Sequence, residues 1–164
     1  LYQLIREYGI NKANIQYLGY VENPNLVYLY RMADIFVLPS YYENLPFSLL
    51  EAMSMKCCCI STNVGAVDEI IDNKVNGIII RPGSSEELVN KINYLLENNQ
   101  DRIRMAQNGY QKVKSNFNAK CMAEKTKRIY KQIIKWKRKK VINTFRSDIM
   151  TKKTKKVYKQ MLSE

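Results

Sequence analysis

The sequence contains no histidine. The commonest metal ligand, and the side chain that ordinarily titrates near neutral pH, is therefore missing. The four cysteines are no substitute. Cys57, Cys58 and Cys59 are adjacent, Cys121 stands alone, and no C-x-x-C pair occurs. Successive residues on a strand point to opposite faces, so the triplet cannot build a disulfide framework, and its spacing does not suit zinc. These cysteines read as small apolar strand residues in a reducing compartment. No Asp-x-Asp pair is present. No apolar run approaches the roughly 18 residues that would span a bilayer, and no secretory signal is visible. Internal repeats and low-complexity stretches are also absent, apart from a lysine-rich end.

What the chain does have is an uneven charge. Its 164 residues carry a net +12. Residues 1–119 hold 11 basic and 12 acidic residues, a net −1, whereas residues 120–164 hold 16 and 3, a net +13. A near-neutral head precedes a strongly basic tail. Hydrophobic residues make up 46% of the chain, enough for a core, and the length fits one domain. The chain opens at Leu1 inside an amphipathic pattern (Leu1, Leu4, Ile5, Tyr8), which reads as a cut within a longer protein.

Local signals predict an alternating order of elements. A helix end over residues 1–9 closes at Gly9. Ile15–Leu18 reads as a strand stopped by Gly19, and Asn23-Pro24 opens a helix carrying Leu26, Leu29, Tyr30 and Ala33. Ile35–Leu38 is an apolar run stopped by Pro39-Ser40, the pattern of a strand buried on both faces. Pro46 suits the first position of the next helix, whose apolar face is Leu49, Leu50, Ala52 and Met53. Cys57–Ser61 and Ile78–Ile80 read as two further strands, with a short helix around Asp68–Ile71 between them. Ser84 or Ser85 caps a helix with Glu86 and Glu87 in its first turn. Helices over about 101–115 and from about Asn118 onward complete the pattern. Strand–helix alternation predicts an α/β fold, a Rossmann-like open parallel sheet covered by helices. Four strands are counted where such sheets usually have about six. The expected division is 1–118 as a partial Rossmann-like domain, 119–140 as a basic helix, and 141–164 as a basic, partly disordered tail.

In open parallel sheets, ligands bind beyond the carboxyl ends of the strands. Pro39-Ser40 through Phe47 lies at such an end and leads into a helix start, a natural seat for phosphate. Leu45, Phe47 and Ser48 can offer backbone donors there. Glu43 sits just before this helix, and Glu51 lies about 7.5 Å along it from Pro46. Two carboxylates could hold two polyol units flanking a diphosphate, because each accepts several hydrogen bonds. The same two glutamates also fit a plain reading as helix-dipole partners or solvated charges.

The run Leu38-Pro39-Ser40-Tyr41-Tyr42-Glu43-Asn44-Leu45-Pro46-Phe47-Ser48-Leu49-Leu50-Glu51-Ala52-Met53 resembles the E-x7-E region of family 4 (group 1) retaining glycosyltransferases. Leu18-Gly19-Tyr20-Val21, Tyr30 through Leu38, Val64 through Ile71, and Asn76-Gly77-Ile78 resemble the flanking segments in the same order. The resemblance covers about residues 14–118. It implies the C-terminal, nucleotide-sugar-binding half of a GT-B fold that lacks its first strands. It implies that Glu43 contacts the donor sugar near the reaction centre and that Ser40 and Asn44, Leu45, Pro46 and Phe47 face sugar and diphosphate. Glu51 would bind the ribose, and Tyr20 and Val21 would lie near the base. The implied reaction moves a sugar from a nucleoside diphosphate, UDP for preference, to an acceptor hydroxyl, with retention at the anomeric carbon and without a metal or cofactor. Saccharides or lipid-linked saccharides are the implied acceptors, in polysaccharide or glycolipid synthesis.

Three departures stand against the family pattern. Lys56 and Cys58 replace the usual Gly and Pro after the motif helix, the basic diphosphate-gripping residues would lie before Leu1, and no acceptor domain is present. The alternative function is therefore a non-catalytic nucleotide-sugar-binding or interaction remnant. For the tail, three readings stay open: a final helix packing back on the protein, adhesion to anionic lipid through Ile129, Ile133, Trp136 and the surrounding cations, and nucleic-acid binding, for which no motif is present. The expected location is cytoplasmic, peripheral on the inner face of a membrane.

Overall fold

In a computed structural model, residues 7–9 and 11–147 are described, without the side chains of 12, 23 and 141–147. The expected helix end at 1–9 lies outside them except for its last turn, where Gly9 adopts φ +61°. The expectation for the tail beyond 147 lies outside them altogether.

The elements follow the order 3-10 turn Lys12–Asn14, α1 Asn23–Met32, β1 Ile35–Leu38, α2 Phe47–Ser54, β2 Cys58–Thr62, α3 Val67–Ile70, β3 Ile78–Ile80, α4 Ser85–Glu97, α5 Asn99–Asn116 and α6 Ala119–Ser147. The chain divides into two compact units, Leu1–Lys114 and Ser115–Glu164.

In the first unit, the strands form one parallel sheet in the order β1-β2-β3. Ile35 pairs with Cys58 and Ile60 with Ile78 at the starts of the two registers. Central β2 is buried along its whole length, which is why its sequence is apolar or small throughout and not alternating. Cys58 and Ile60 of β2, Ile78 and Ile80 of β3, Leu95 of α4, and Met105 and Ala106 of α5 form one buried cluster. Leu49, Ala52 and Met53 are fully buried on α2, which packs on β1 and β2. Gly109 of α5 allows close approach, since a Cβ there would lie 3.0 Å from Met53 Cε and 3.1 Å from the Asn76 carbonyl oxygen.

One expected strand is absent. Ile15–Leu18 has no pairing partner among the described residues and is exposed, Tyr17 by 67%. A strand exists by its ladder, and an apolar tetrapeptide without a neighbour has none. Among the described residues the sheet thus has three strands where the sequence suggested four. Pro46 also shifts by one position: it is the N-cap of α2, with φ −73° and ψ 102°, and helical geometry begins at Phe47. The residue before a helix takes such an extended conformation.

The C-terminus of α2 follows from its hydrogen bonds. Lys56 N–H donates to the Met53 carbonyl and Cys57 N–H to the Ala52 carbonyl, at 3.1 and 3.0 Å. This is the Schellman pattern, which places the residue after the C-cap in the left-handed region. Lys56 occupies that position at φ +62°. Its ammonium lies 5.1 Å from the ring centre of Tyr110.

The second unit is described through α6, 29 residues long. Its side chains from 122 to 140 are exposed, and Cys121 is half-buried.

Candidate functional site

The loop from Pro39 to Pro46 joins the carboxyl end of β1 to the start of α2, and neighbouring segments fix it at several points. Thr62, at the carboxyl end of β2, donates its hydroxyl proton to the Ser40 carbonyl at 2.6 Å. The Ser40 hydroxyl in turn donates to Oε1 of Glu43 at 2.7 Å. Ala66 N–H donates to the Asn44 carbonyl at 2.9 Å. Gly65, at φ +57°, lies against the same backbone, so that a Cβ there would fall 2.7 Å from the Asn44 carbonyl oxygen and also strike the Glu43 carbonyl. Only glycine meets both demands, the positive φ and the missing side chain.

Glu43 is half-buried, Asn44 and Phe47 are exposed, and Pro46 is buried. No side chain caps the N-terminus of α2. Its first-turn N–H groups therefore remain available, with the helix dipole behind them. Glu51 lies in the following turn of α2, and its Oε2 accepts a hydrogen bond from the Tyr30 hydroxyl of α1 at 3.2 Å. Phe36 of β1 holds the Tyr30 ring edge-on at 5.6 Å. Burial, and then the Glu51 carboxylate, push the Tyr30 hydroxyl from its ordinary 10.0 up to about 12. It stays a donor throughout the physiological range. A cavity of about 80 Å3 adjoins this pair, lined by Leu26, Val27, Tyr30, Glu51, Ser54 and Met55.

The structure therefore joins Ser40, Glu43 and Asn44 into one clamped loop. Leu45, Pro46 and Phe47 continue it into α2, and Glu51 lies on the same helix. Tyr20 and Val21 lie on the segment before α1, with Tyr20 91% exposed. No hydrogen bond among the described residues connects them to the loop. Sequence reasoning missed Thr62, Ala66 and Tyr30 as positioning groups. Gly65 carried a signal, a lone glycine between a strand and a helix, but not the identity of what it packs against.

Beyond the β strands, a second cavity of about 170 Å3 lies among Pro39, Tyr41, Thr62, Arg81 and Ser84. It borders the loop on the side away from Glu43 in sequence, and Glu43 does not line it.

Residues 1–112 match the family model described as glycosyl transferases group 1. The chain belongs to that family. Similar to it is the N,N'-diacetylbacillosaminyl-diphospho-undecaprenol alpha-1,3-N-acetylgalactosaminyltransferase of Campylobacter jejuni, 33% identical over 127 residues, covering 77% of this chain and 33% of that protein. The UDP-Gal:alpha-D-GlcNAc-diphosphoundecaprenol alpha-1,3-galactosyltransferase of Escherichia coli is 28% identical over 120 residues, covering 73% of this chain and 30% of its own length. Among solved structures, the C-terminal domain of a group 1 glycosyl transferase (LpcC) from Francisella tularensis superposes with a TM-score of 0.66 at 33% identity, covering 72% of this chain and 60% of that one. The chain thus spans about a third of the length of these curated relatives. The fold is that of the GT-B C-terminal domain.

Proposed function

We propose that this domain binds a nucleoside-diphosphate sugar at the N-terminus of α2 and serves as the donor half of a retaining glycosyltransferase. The observation that carries the reading is the clamped Glu43 beside an uncapped helix start, with Glu51 further along that helix. The first-turn N–H groups and the helix dipole face the diphosphate and stabilise the charge that develops as it departs. Oε1 of Glu43 is engaged by Ser40. Oε2 accepts from a sugar hydroxyl, and the carboxylate stabilises positive character at the anomeric carbon. Glu51, oriented by Tyr30, accepts from the ribose hydroxyls. Tyr20 and Val21 approach the base.

UDP is the proposed nucleotide, since the name of the Escherichia coli relative specifies UDP-Gal. A lipid-linked saccharide is the proposed acceptor, since both relatives are named for diphospho-undecaprenol-linked ones. The product would enter polysaccharide or glycolipid synthesis, on the cytoplasmic side, where three buried free thiols survive. The left-handed Lys56 sits in an intact helix cap outside the site, which favours the enzyme over a non-catalytic remnant.

Calorimetry with UDP tests the donor site. The 164-residue chain should bind UDP weakly, in the millimolar range, and Glu51→Gln should weaken it further. Equal binding by the two proteins, or tight micromolar binding by this domain alone, contradicts the arrangement.

A further inference from the structure

Apolar residues of α6 gather along one side, and its basic residues surround them, most densely on the opposite side. Met122, Ile129, Ile133 and Trp136 follow at intervals of seven, four and three residues, which returns them to one side of an α-helix. Ile129 is 54% exposed, Ile133 46% and Trp136 59%. Tyr130, also exposed, adjoins the stripe on one flank, and exposed Ile134 lies further round, beside Lys127 and Lys131. Lys120, Lys127, Lys131 and Arg138 recur at intervals of seven, four and seven on the opposite side. From 119 to 140 the helix carries 10 basic residues and one acidic residue, Glu124. The stripe from Met122 to Trp136 runs about 21 Å along the axis.

We propose that α6 lies along an anionic lipid bilayer, with this stripe sunk among the headgroups and upper acyl chains and its cations on lipid phosphates. Three features select this occupant. The charge is positive at ten positions against one, so the partner surface is anionic. The apolar stripe runs unbroken from Ile129 to Trp136, with Met122 one interval before it, and includes a tryptophan, a side chain suited to the boundary between water and hydrocarbon. Lys125 and Lys137 border the stripe on its two sides, where their ammonium groups reach phosphates beside it. A nucleic acid would use the basic face and leave Ile129, Ile133 and Trp136 in water. No helix among the described residues is long and apolar enough to cross a membrane, so contact runs along the surface. Lys140, whose ammonium lies 5.0 Å from the Trp136 ring centre, keeps a cation at the level of that ring. Lysine stems can lie on apolar surface while their heads reach phosphate. Such contact holds the donor domain near lipid-linked acceptors, and it is independent of donor binding.

Trp136 is the sole tryptophan in the chain, so its fluorescence reports this face alone. The experiment titrates the whole 164-residue chain with vesicles of phosphatidylcholine, with and without phosphatidylglycerol. Vesicles containing phosphatidylglycerol should shift the emission to the blue, and lipids brominated on the acyl chain should quench it. Neutral vesicles should bind at least tenfold more weakly. Ile129→Ser with Ile133→Ser should lower vesicle affinity at least tenfold while UDP binding is unchanged. Four results overturn the proposal. One is no spectral change with the anionic vesicles. Another is binding without bromolipid quenching, which means adsorption through the basic face alone. The third is an emission already blue and shielded from iodide without lipid, which means protein covers the stripe. The last is an oligonucleotide that shifts the emission as far as the vesicles do. A chain that ignores vesicles but binds UDP leaves the donor-site reading intact.

Discussion

The Ser40 hydroxyl donates to Oε1 of Glu43 at 2.7 Å, while the Ser40 carbonyl is itself held by Thr62. The proposed reaction-centre carboxylate is thereby referenced to β2 and not only to its own loop. In a full-length transferase carrying this domain, Glu43→Gln should lower kcat by about a hundredfold or more, because preorganised charge at the reacting carbon is lost. Ser40→Ala should cost less, about tenfold, the value of one hydrogen bond to a charged group. Steady-state kinetics checks both. Near-normal turnover by Glu43→Gln removes that residue from the chemistry.

Gly65 is the tightest constraint on the same loop. Its φ of +57° disfavours any side chain, and a Cβ would collide with backbone oxygens that cannot swing aside. Gly65→Ala should destabilise the domain by about 1–3 kcal/mol, the usual cost of a forced left-handed residue, and weaken UDP binding in parallel. Thermal denaturation with and without UDP measures the two effects. An alanine variant with unchanged melting and affinity would show that the loop is not clamped in this way.

Lys56 invites a double-mutant cycle. A glycine at φ +62° relieves strain of about 1 kcal/mol, but Lys56→Gly also forfeits the contact with Tyr110, of similar size. The single substitution should therefore change stability little. In a Tyr110→Leu background, Lys56→Gly should stabilise by about 1 kcal/mol. Urea midpoints for the four proteins decide it, and a zero coupling between the two positions refutes the compensation.

Stability at high pH follows from groups the fold keeps neutral. Burial, with Asp34 next, pushes the Cys57 thiol from 9.0 to about 11. Burial, with Cys57 next, takes Cys58 to about 12. Cys59 is also pushed well up, again chiefly by burial. Tyr30 rises from 10.0 to about 12 through burial and then Glu51. Each raised value means that the folded state favours the protonated form. Their contribution is complete below about pH 9 and is lost as pH climbs towards 12. Urea midpoints should fall across that window, and less steeply in Tyr30→Phe. Thiol alkylation at neutral pH should spare Cys57, Cys58 and Cys59, which are at most 2% exposed.

Much of this architecture is legible in local sequence. Pro24 at the start of α1, the Ser84 cap of α4 and the apolar blocks Ile35–Leu38 and Ile78–Ile80 are set by neighbours within one turn or one strand. Ile15–Leu18 misled because strand formation depends on a partner that composition does not reveal. Glu43 and Glu51 are singled out by their spacing and the family resemblance. Tyr30 and Thr62 are not, since each meets its partner across 21 or 22 residues of chain, where periodicity carries no signal. The proline shift at Pro46 reflects a similar limit: its ring suits both the first helical position and the residue before it.

Tyr42 stands between the clamped Ser40 and Glu43, yet its side chain is 86% exposed. Because the frame is anchored through main-chain carbonyls and one hydroxyl, its shape does not depend on what that position carries. Natural variation or directed evolution can therefore rewrite the surface beside the proposed sugar pocket at Tyr42 while leaving the underlying support untouched.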